Sequence, residues 1–388
     1  MHAIYIKVPL NKKRIVMVLQ TKKIKTDLSF LIGIVLILLI IGLLFIYSSS
    51  SVFALEKLGY AHYFLKKQII GLTIGIIAAF VIRFIPIEII KKGSPYFFLV
   101  SLILTALTVI TPFGQSIHGS ARWLSLPFLS FQPSELLKIS LILYLAYFLT
   151  KKERSAPSLI HGYIPLLVIL GITSVLLLKQ PDFGLTVTLI ATAFIMLFIA
   201  NVYVKYLCIT LLACIPAVIA LIIAKSYRIK RILTFLNPWE DAQGAGFQII
   251  QSLIAIGSGG LFGLGIGQSK QKFFYLPMQH TDFIFSIIAE EIGLIGASFV
   301  ILLFLLFLYF GIRIACQLHD RFSLFAVLGF VIVISLQALI NICVATGLAP
   351  TKGIGLPFIS YGNTALVCQL IMIGIIISLV YENRNSLH

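Results

Sequence analysis

Charge is scarce in this sequence. Of 388 residues only 11% are charged, and acids are the rarest of these, 13 Asp and Glu against 30 Lys and Arg. With 60% hydrophobic residues and a mean hydropathy of +1.07, the chain carries far more apolar surface than a soluble domain can use. Apolar runs long enough to cross a bilayer recur along it, which marks a polytopic membrane protein. A net charge of +17 would suggest nucleic acid in a soluble chain. Here the basic residues lie mostly in short loops between apolar runs, so anionic lipid is the simpler partner and nucleic acid is not expected. Cysteine is sparse too. Cys208, Cys214, Cys316, Cys343 and Cys368 lie in or near apolar segments, with no CxxC pair and no His/Cys ligand spacing, so neither a disulfide framework nor zinc is indicated. There is no low-complexity tract, no clear internal repeat and no separate soluble domain. The glycine-rich stretch 257–267 lacks the Gly-Lys-Ser/Thr ending of a nucleotide loop and follows no strand, which rejects nucleotide binding.

What remains is a set of spans. Ten are expected: 28–47, 68–85, 95–112, 134–150, 162–178, 184–200, 204–224, 282–311, 322–346 and 363–381. The fold class is therefore all-α integral membrane, with a long extracytoplasmic loop between helices 7 and 8. Residues 1–27 read as a basic cytoplasmic tail, 28–381 as one membrane domain and 382–388 as a second tail. The run from 28 to 47 is too long and starts too late for a signal peptide, so it reads as a retained first span. Lys and Arg weigh toward the side of the N-terminus once the long loop 225–281 is set aside, which puts both termini in the cytoplasm. Segments 113–133, 225–281 and 347–362 then share the external side. Within the long loop, 247–256 reads as a short amphipathic helix on the membrane surface and 257–267 as a flexible turn-rich stretch.

The few polar residues near spans carry the chemistry. Asp282 is the only carboxylate between Asp241 and Glu290, and it stands at the mouth of an apolar run. Such an acid marks a functional site or has a partner, yet a helix N-cap explains its position equally well. Glu135 and Lys138 are three apart, share a helix face and can pair. They either neutralise one another or line a cavity. Ser134 can cap the fourth span. Asp182 can cap the sixth, and Arg122-Trp123 can serve as an interfacial anchor. The external set also includes Lys270, Lys272, His280 and Lys352. Its cations suit a lipid-linked phosphate or pyrophosphate.

Six ordered motifs carry a resemblance. They are Gln132-Pro133-Ser134-Glu135-Leu136-x-Lys138, Pro181-Asp182-Phe183-Gly184, Asn237-Pro238-Trp239-Glu240-Asp241 with Gly244-x-Gly246-Phe247-Gln248-x-x-Gln251-Ser252, Gly267-Gln268-Ser269-Lys270-Gln271-Lys272, His280-Thr281-Asp282-Phe283-Ile284-Phe285 and Pro357-Phe358-Ile359-Ser360-Tyr361-Gly362. Together they resemble the SEDS family (shape, elongation, division and sporulation), and the stretch 267–272 with Pro350-Thr351-Lys352-Gly353 resembles its division branch more than its elongation branch. The resemblance implies a ten-helix peptidoglycan glycosyltransferase of the bacterial cytoplasmic (inner) membrane. It would polymerise lipid II at the outer face, working with a class B penicillin-binding protein and other division proteins. The family's essential acid falls on Asp282, its Gln-Pro-Ser-Glu-x-x-Lys residues on Gln132, Ser134, Glu135 and Lys138, and its preceding Arg on Arg122. Met278 stands where Glu is usual, and Asn363 where a second Gly is common.

The implied reaction joins the 4-hydroxyl of one disaccharide to the anomeric carbon of another with single inversion and expels undecaprenyl pyrophosphate. It needs a base on the acceptor and positive charge on the leaving group. The residues suggest Asp282 as base. Arg122, Lys138 and Lys270 or Lys272 would hold the pyrophosphate, and Glu135 would orient Lys138. Thr281, His280 and Lys352 complete the expected substrate contacts. A divalent cation could share the phosphate load, but no ligand set demands one. A lipid II flippase and a non-enzymatic division scaffold are the alternatives. A transporter would be expected to show inverted repeats and broken helices, and neither is legible in the sequence.

Overall fold

The computed structural model describes residues 10–385, apart from 111–113, 118–119, 127–128, 152–157, 224–225, 245, 273–276 and 278. Met278 therefore lies outside the described residues. Helices dominate: α1 (Leu10–Leu58), α2 (Tyr63–Ile82), α3 (Ile87–Ile110), α4 (Pro133–Lys151), α5 (Ile164–Lys179), α6 (Phe183–Ile199), α7 (Val204–Ile223), α8 (Ser226–Leu236), α9 (Phe247–Ser258), α10 (Ile284–Cys316), α11 (Arg321–Ala345) and α12 (Asn363–Asn385). Eight of the described helices are long and apolar enough to cross a bilayer. The shorter apolar helices α6 and Val204–Pro216 of α7 bring the number to the ten expected. Residues 10–27, read as a tail, are helical and continuous with the first span.

Helices α4, α11 and α12 form the centre, with α10 and α1 against them, and their apolar side chains make one buried core. At the edge stands α7. Among its described residues only Leu207 is buried. Asp182 does cap α6, its Oδ1 accepting from Leu185 N at 3.2 Å. Ser134 does not cap α4. It sits inside the first turn, buried, and accepts from Gln132 Nε2 at 3.1 Å.

Four features differ from the sequence reading. The segment before α4 is a small antiparallel sheet, with β1 (Gly114–Ile117), β2 (Ser120–Leu126) and β3 (Leu129–Phe131) in that order. The long loop contains α8, whose Ser-Tyr-Arg-Ile-Lys-Arg-Ile-Leu-Thr-Phe-Leu sequence alternates basic and apolar residues at helical spacing. As expected, 247–256 is helical, but α9 buries Ile249, Ile250 and Ser252 in the protein. Ser252 donates to Ala345 O at 2.6 Å.

Finally, α10 is broken. Gly293 has φ 68° and ψ −170°, and the glycine-rich stretch is locked into the gap rather than flexible. Leu294 N donates to Gly260 O at 2.9 Å, Leu264 N to Glu290 O at 3.0 Å and Gly265 N to Glu291 O at 3.0 Å. Glycine is needed for this approach. A Cβ on Gly259 would lie 2.0 Å from Ala289 O, and one on Gly263 would lie 2.2 Å from Glu291 O.

Candidate active site

The three segments assigned to one side of the membrane converge on a single cavity of about 1080 Å³. Its wall draws on β2, the start of α4, the turn before α6, helices α8 and α9, residues 281–283, and the strap 350–362 leading into α12. Arg122, Gln132, Glu135, Asp182, Thr281, Asp282 and Lys352, all singled out in the sequence, line it.

Asp282 does not cap α10. Phe283 occupies the cap position, and no side chain caps the helix there. The Asp282 carboxylate is half-buried, and among the described residues no group hydrogen-bonds to it. Burial pushes its pKa up to about 7, against the pull of Arg122 and with a push from Asp182. Arg122 is anchored by the turn opposite, with Nε donating to Gln180 O at 3.2 Å and Nη2 to Pro181 O at 2.6 Å. Its Nη1 lies 3.6 Å from Asp182 Oδ2. Burial raises the Asp182 pKa as well, with Arg122 opposing. Gly353 sits between the two sides. A Cβ there would be 3.6 Å from Asp282 Oδ2 and 3.8 Å from Arg122 Nη1.

Lys352 lies half-buried in the wall, its ammonium 5.0 Å from the centre of the Phe183 ring, and burial lowers its pKa. The structure adds two cavity cations that sequence reasoning missed, Arg228 and Arg231 of α8. They stand three apart, so they share a helical face. The amphipathic spacing of 226–236 was the signal that could have found them.

Other expected substrate contacts are engaged elsewhere. Lys138 is fully buried beneath the cavity wall, with Nζ 2.6 Å from Glu135 Oε2 and donating to Gln337 Oε1 at 3.1 Å. The expected order is thus reversed: Glu135 reaches the cavity and Lys138 supports it from behind. Lys272 is buried and pairs with Glu291 at 3.7 Å, and Lys270 is exposed outside the cavity, its backbone N–H donating to Glu290 at 2.8 Å. Ser269 donates to Glu290 at 2.5 Å and Ser48 to Glu291 at 2.6 Å, so this motif braces the first part of α10 against the loop and α1. His280 lies outside the cavity wall among aromatic rings, 4.5 Å from Phe64 and 5.8 Å from Tyr361. Burial lowers its pKa to about 4, which keeps the imidazole neutral at pH 7. Among the described residues, no three His, Cys, Asp or Glu side chains are grouped to hold a metal ion. A divalent cation in the cavity would complete its shell with oxygens of water and of the substrate.

Chemically, the cavity sets carboxylates (Glu135, Asp182, Asp282) against cations (Arg122, Lys352, Arg228, Arg231). That arrangement suits taking a proton from a hydroxyl and holding an anionic group close by.

Over 350 residues the chain is 41% identical to a probable peptidoglycan glycosyltransferase FtsW of Geobacter sp. (strain M18), covering 90% of this chain and 95% of that one. It is 40% identical over 366 residues to stage V sporulation protein E of Bacillus subtilis (strain 168), covering 94% of this chain and all of the other. Among solved structures, one of a peptidoglycan synthase complex superposes with a TM-score of 0.75 at 28% identity, over 91% of this chain and 97% of that one. The crystal structure of the rod shape determining protein RodA of Thermus thermophilus gives 0.68 at 25% identity, over 91% and 96%. The family model described as cell cycle protein, FtsW/RodA/SpoVE, matches residues 28–385. This chain belongs to the FtsW/RodA/SpoVE family of cell cycle proteins.

Proposed function

We propose that the protein is a peptidoglycan glycosyltransferase that polymerises lipid II, serving septal synthesis at the outer face of the bacterial cytoplasmic membrane. The observation that carries this reading is the Asp282 carboxylate. It caps no helix, faces a cavity lined by four cations and has a pKa near 7, the range that suits a general base at neutral pH. In this reading Asp282 takes the proton from the 4-hydroxyl of the acceptor as that oxygen attacks the anomeric carbon of the donor. The anomeric C–O bond breaks with inversion, and its electrons leave on undecaprenyl pyrophosphate. Arg122 and Lys352, with Arg228 and Arg231, stabilise that leaving charge. Glu135 and Gln132 meet the sugar side of the cavity, and Lys138 holds Glu135 in place. This assignment replaces Lys138, Lys270 and Lys272 as phosphate ligands, since Lys138 and Lys272 have carboxylate partners and all three lie outside the cavity wall.

The relatives' names and the likeness to a peptidoglycan synthase complex support an enzyme that works beside a class B penicillin-binding protein. One observation favours a flippase instead: the break of α10 at Gly293, a device that transporters use. The deciding experiment gives lipid II to the purified chain, alone and with a class B penicillin-binding protein, beside Asp282→Asn. Polymer from the native chain and none from the variant supports the proposal. Lipid II crossing a vesicle bilayer with no polymer in any arm would replace it with transport.

A further inference from the structure

Among the described residues no group hydrogen-bonds to the Asp282 carboxylate, so its direction depends on where its backbone is held. One buried amide holds that backbone. Asn341 of α11 is only 1% exposed. Its Nδ2 donates to Asp282 O at 2.7 Å and to Ile354 O at 2.7 Å, which uses both amide hydrogens. One turn earlier on the same face, Gln337 Nε2 donates to Gly355 O at 3.0 Å. Two consecutive carbonyls of the strap therefore hang from a single face of α11. Next to them, Gly353 lies close to both sides: a Cβ there would be 3.6 Å from Asp282 Oδ2 and 3.8 Å from Arg122 Nη1. Among the described residues Asn341 Oδ1 has no hydrogen-bond partner, a cost that packing alone would not require.

We propose that Asn341 is a positioning residue that sets the Asp282 carboxylate against Arg122 and Lys352 by tying residue 282 to the strap. The proposal rests on the reading of Asp282 as the base. Neighbouring segments have their own ties: Ser360 donates to Thr281 O at 2.5 Å and Tyr361 N to His280 O at 2.9 Å. Losing the Asn341 amide thus loosens residue 282 and its tie to Ile354, while Gln337 still holds Gly355 and the rest of the loop keeps its own ties.

The test uses the purified full-length chain with Asn341→Ala, and Asn341→Ser as a milder variant that keeps one donor. Polymerisation of lipid II should show kcat lowered by roughly 10- to 100-fold, as expected for a misplaced catalytic group, with KM little changed. The second readout needs no activity. Thermal unfolding is followed against pH for Asp282→Asn in the native and Asn341→Ala backgrounds, and the difference reports the titration of residue 282. Arg122, Asp182 and Lys352 face that residue in both backgrounds. In the native background the difference should appear around pH 7, and with Asn341→Ala it should move toward the ordinary carboxylate range. An unmoved midpoint overturns the proposal, as does full kcat in both variants. A moved midpoint with no polymerisation even by the native chain keeps the positioning role and sinks the glycosyltransferase instead.

Discussion

Asp282 and Lys138 are both ionisable groups at the margin of a bilayer, and their surroundings give them opposite duties. Among the described residues no group hydrogen-bonds to the Asp282 carboxylate, and burial raises its pKa from 3.8 to about 7 against the pull of Arg122. Because the folded value lies above the unfolded one, its contribution to stability is fully present below pH 4 and is lost as pH rises through about 7. Asp282→Asn should therefore unfold at a higher temperature than the native chain at pH 8, with the gap closing toward pH 4. Calorimetry across that range checks it. Polymerisation should run the other way, falling as pH drops through about 7 because the base becomes protonated. Lys138, by contrast, is wholly enclosed with Glu135 and Gln337. Lys138→Met strands a buried carboxylate and should cost about 3–5 kcal/mol, read as a large drop in the thermal midpoint in detergent. The sequence made the pairing of Glu135 with Lys138 legible through their spacing. It could not reveal which of the two reaches the cavity, because Gln337, the residue that holds Lys138 back, is 199 positions away.

At the scale of elements, legibility followed the physics that each element depends on. The spans were readable because length and apolarity alone specify a helix in hydrocarbon. Asp182 as the cap of α6 was readable because a cap is local. The helix α8 was missed because its three basic residues in eleven lower its hydropathy and hide an amphipathic pattern inside a loop. The glycine-rich stretch read as flexible because its partners are not local. They are the backbone groups of Glu290, Glu291, Leu294 and Ile295, freed by the break at Gly293. That dependence predicts a sharp steric effect. A Cβ on Gly293 would meet Gly263 N at 2.4 Å while the backbone holds a positive φ, so Gly293→Ala should destabilise by several kcal/mol. Gly257→Ala, where a Cβ meets nothing within 4 Å, should be close to neutral. Comparing the thermal midpoints of these two variants separates a stitched break from a merely flexible loop.

For the whole molecule, the convergence of three sequence-distant segments on one cavity means that orientation in the membrane decides what the site can meet. The distribution of Lys and Arg leads us to expect that cavity outside, where the proposed polymerisation of lipid II would need it. Two exposed positions at opposite ends test the assignment. Trp239 lies in the loop between α8 and α9, on the cavity side, and Glu88 opens α3 at the other end. In a chain with its native cysteines replaced, a membrane-impermeant maleimide added to intact cells from which the outer barrier has been removed should label Trp239→Cys at once. Glu88→Cys should react only after the membrane is opened. The reverse pattern would turn the cavity toward the cytoplasm. There the cations would face the pool from which lipid-linked precursors are supplied, and polymerisation at the outer face would be untenable while a transport role gained ground. Equal labelling of both positions in intact cells would contradict the odd number of spans between them, α3 to α7, and would require recounting the short helices α6 and α7.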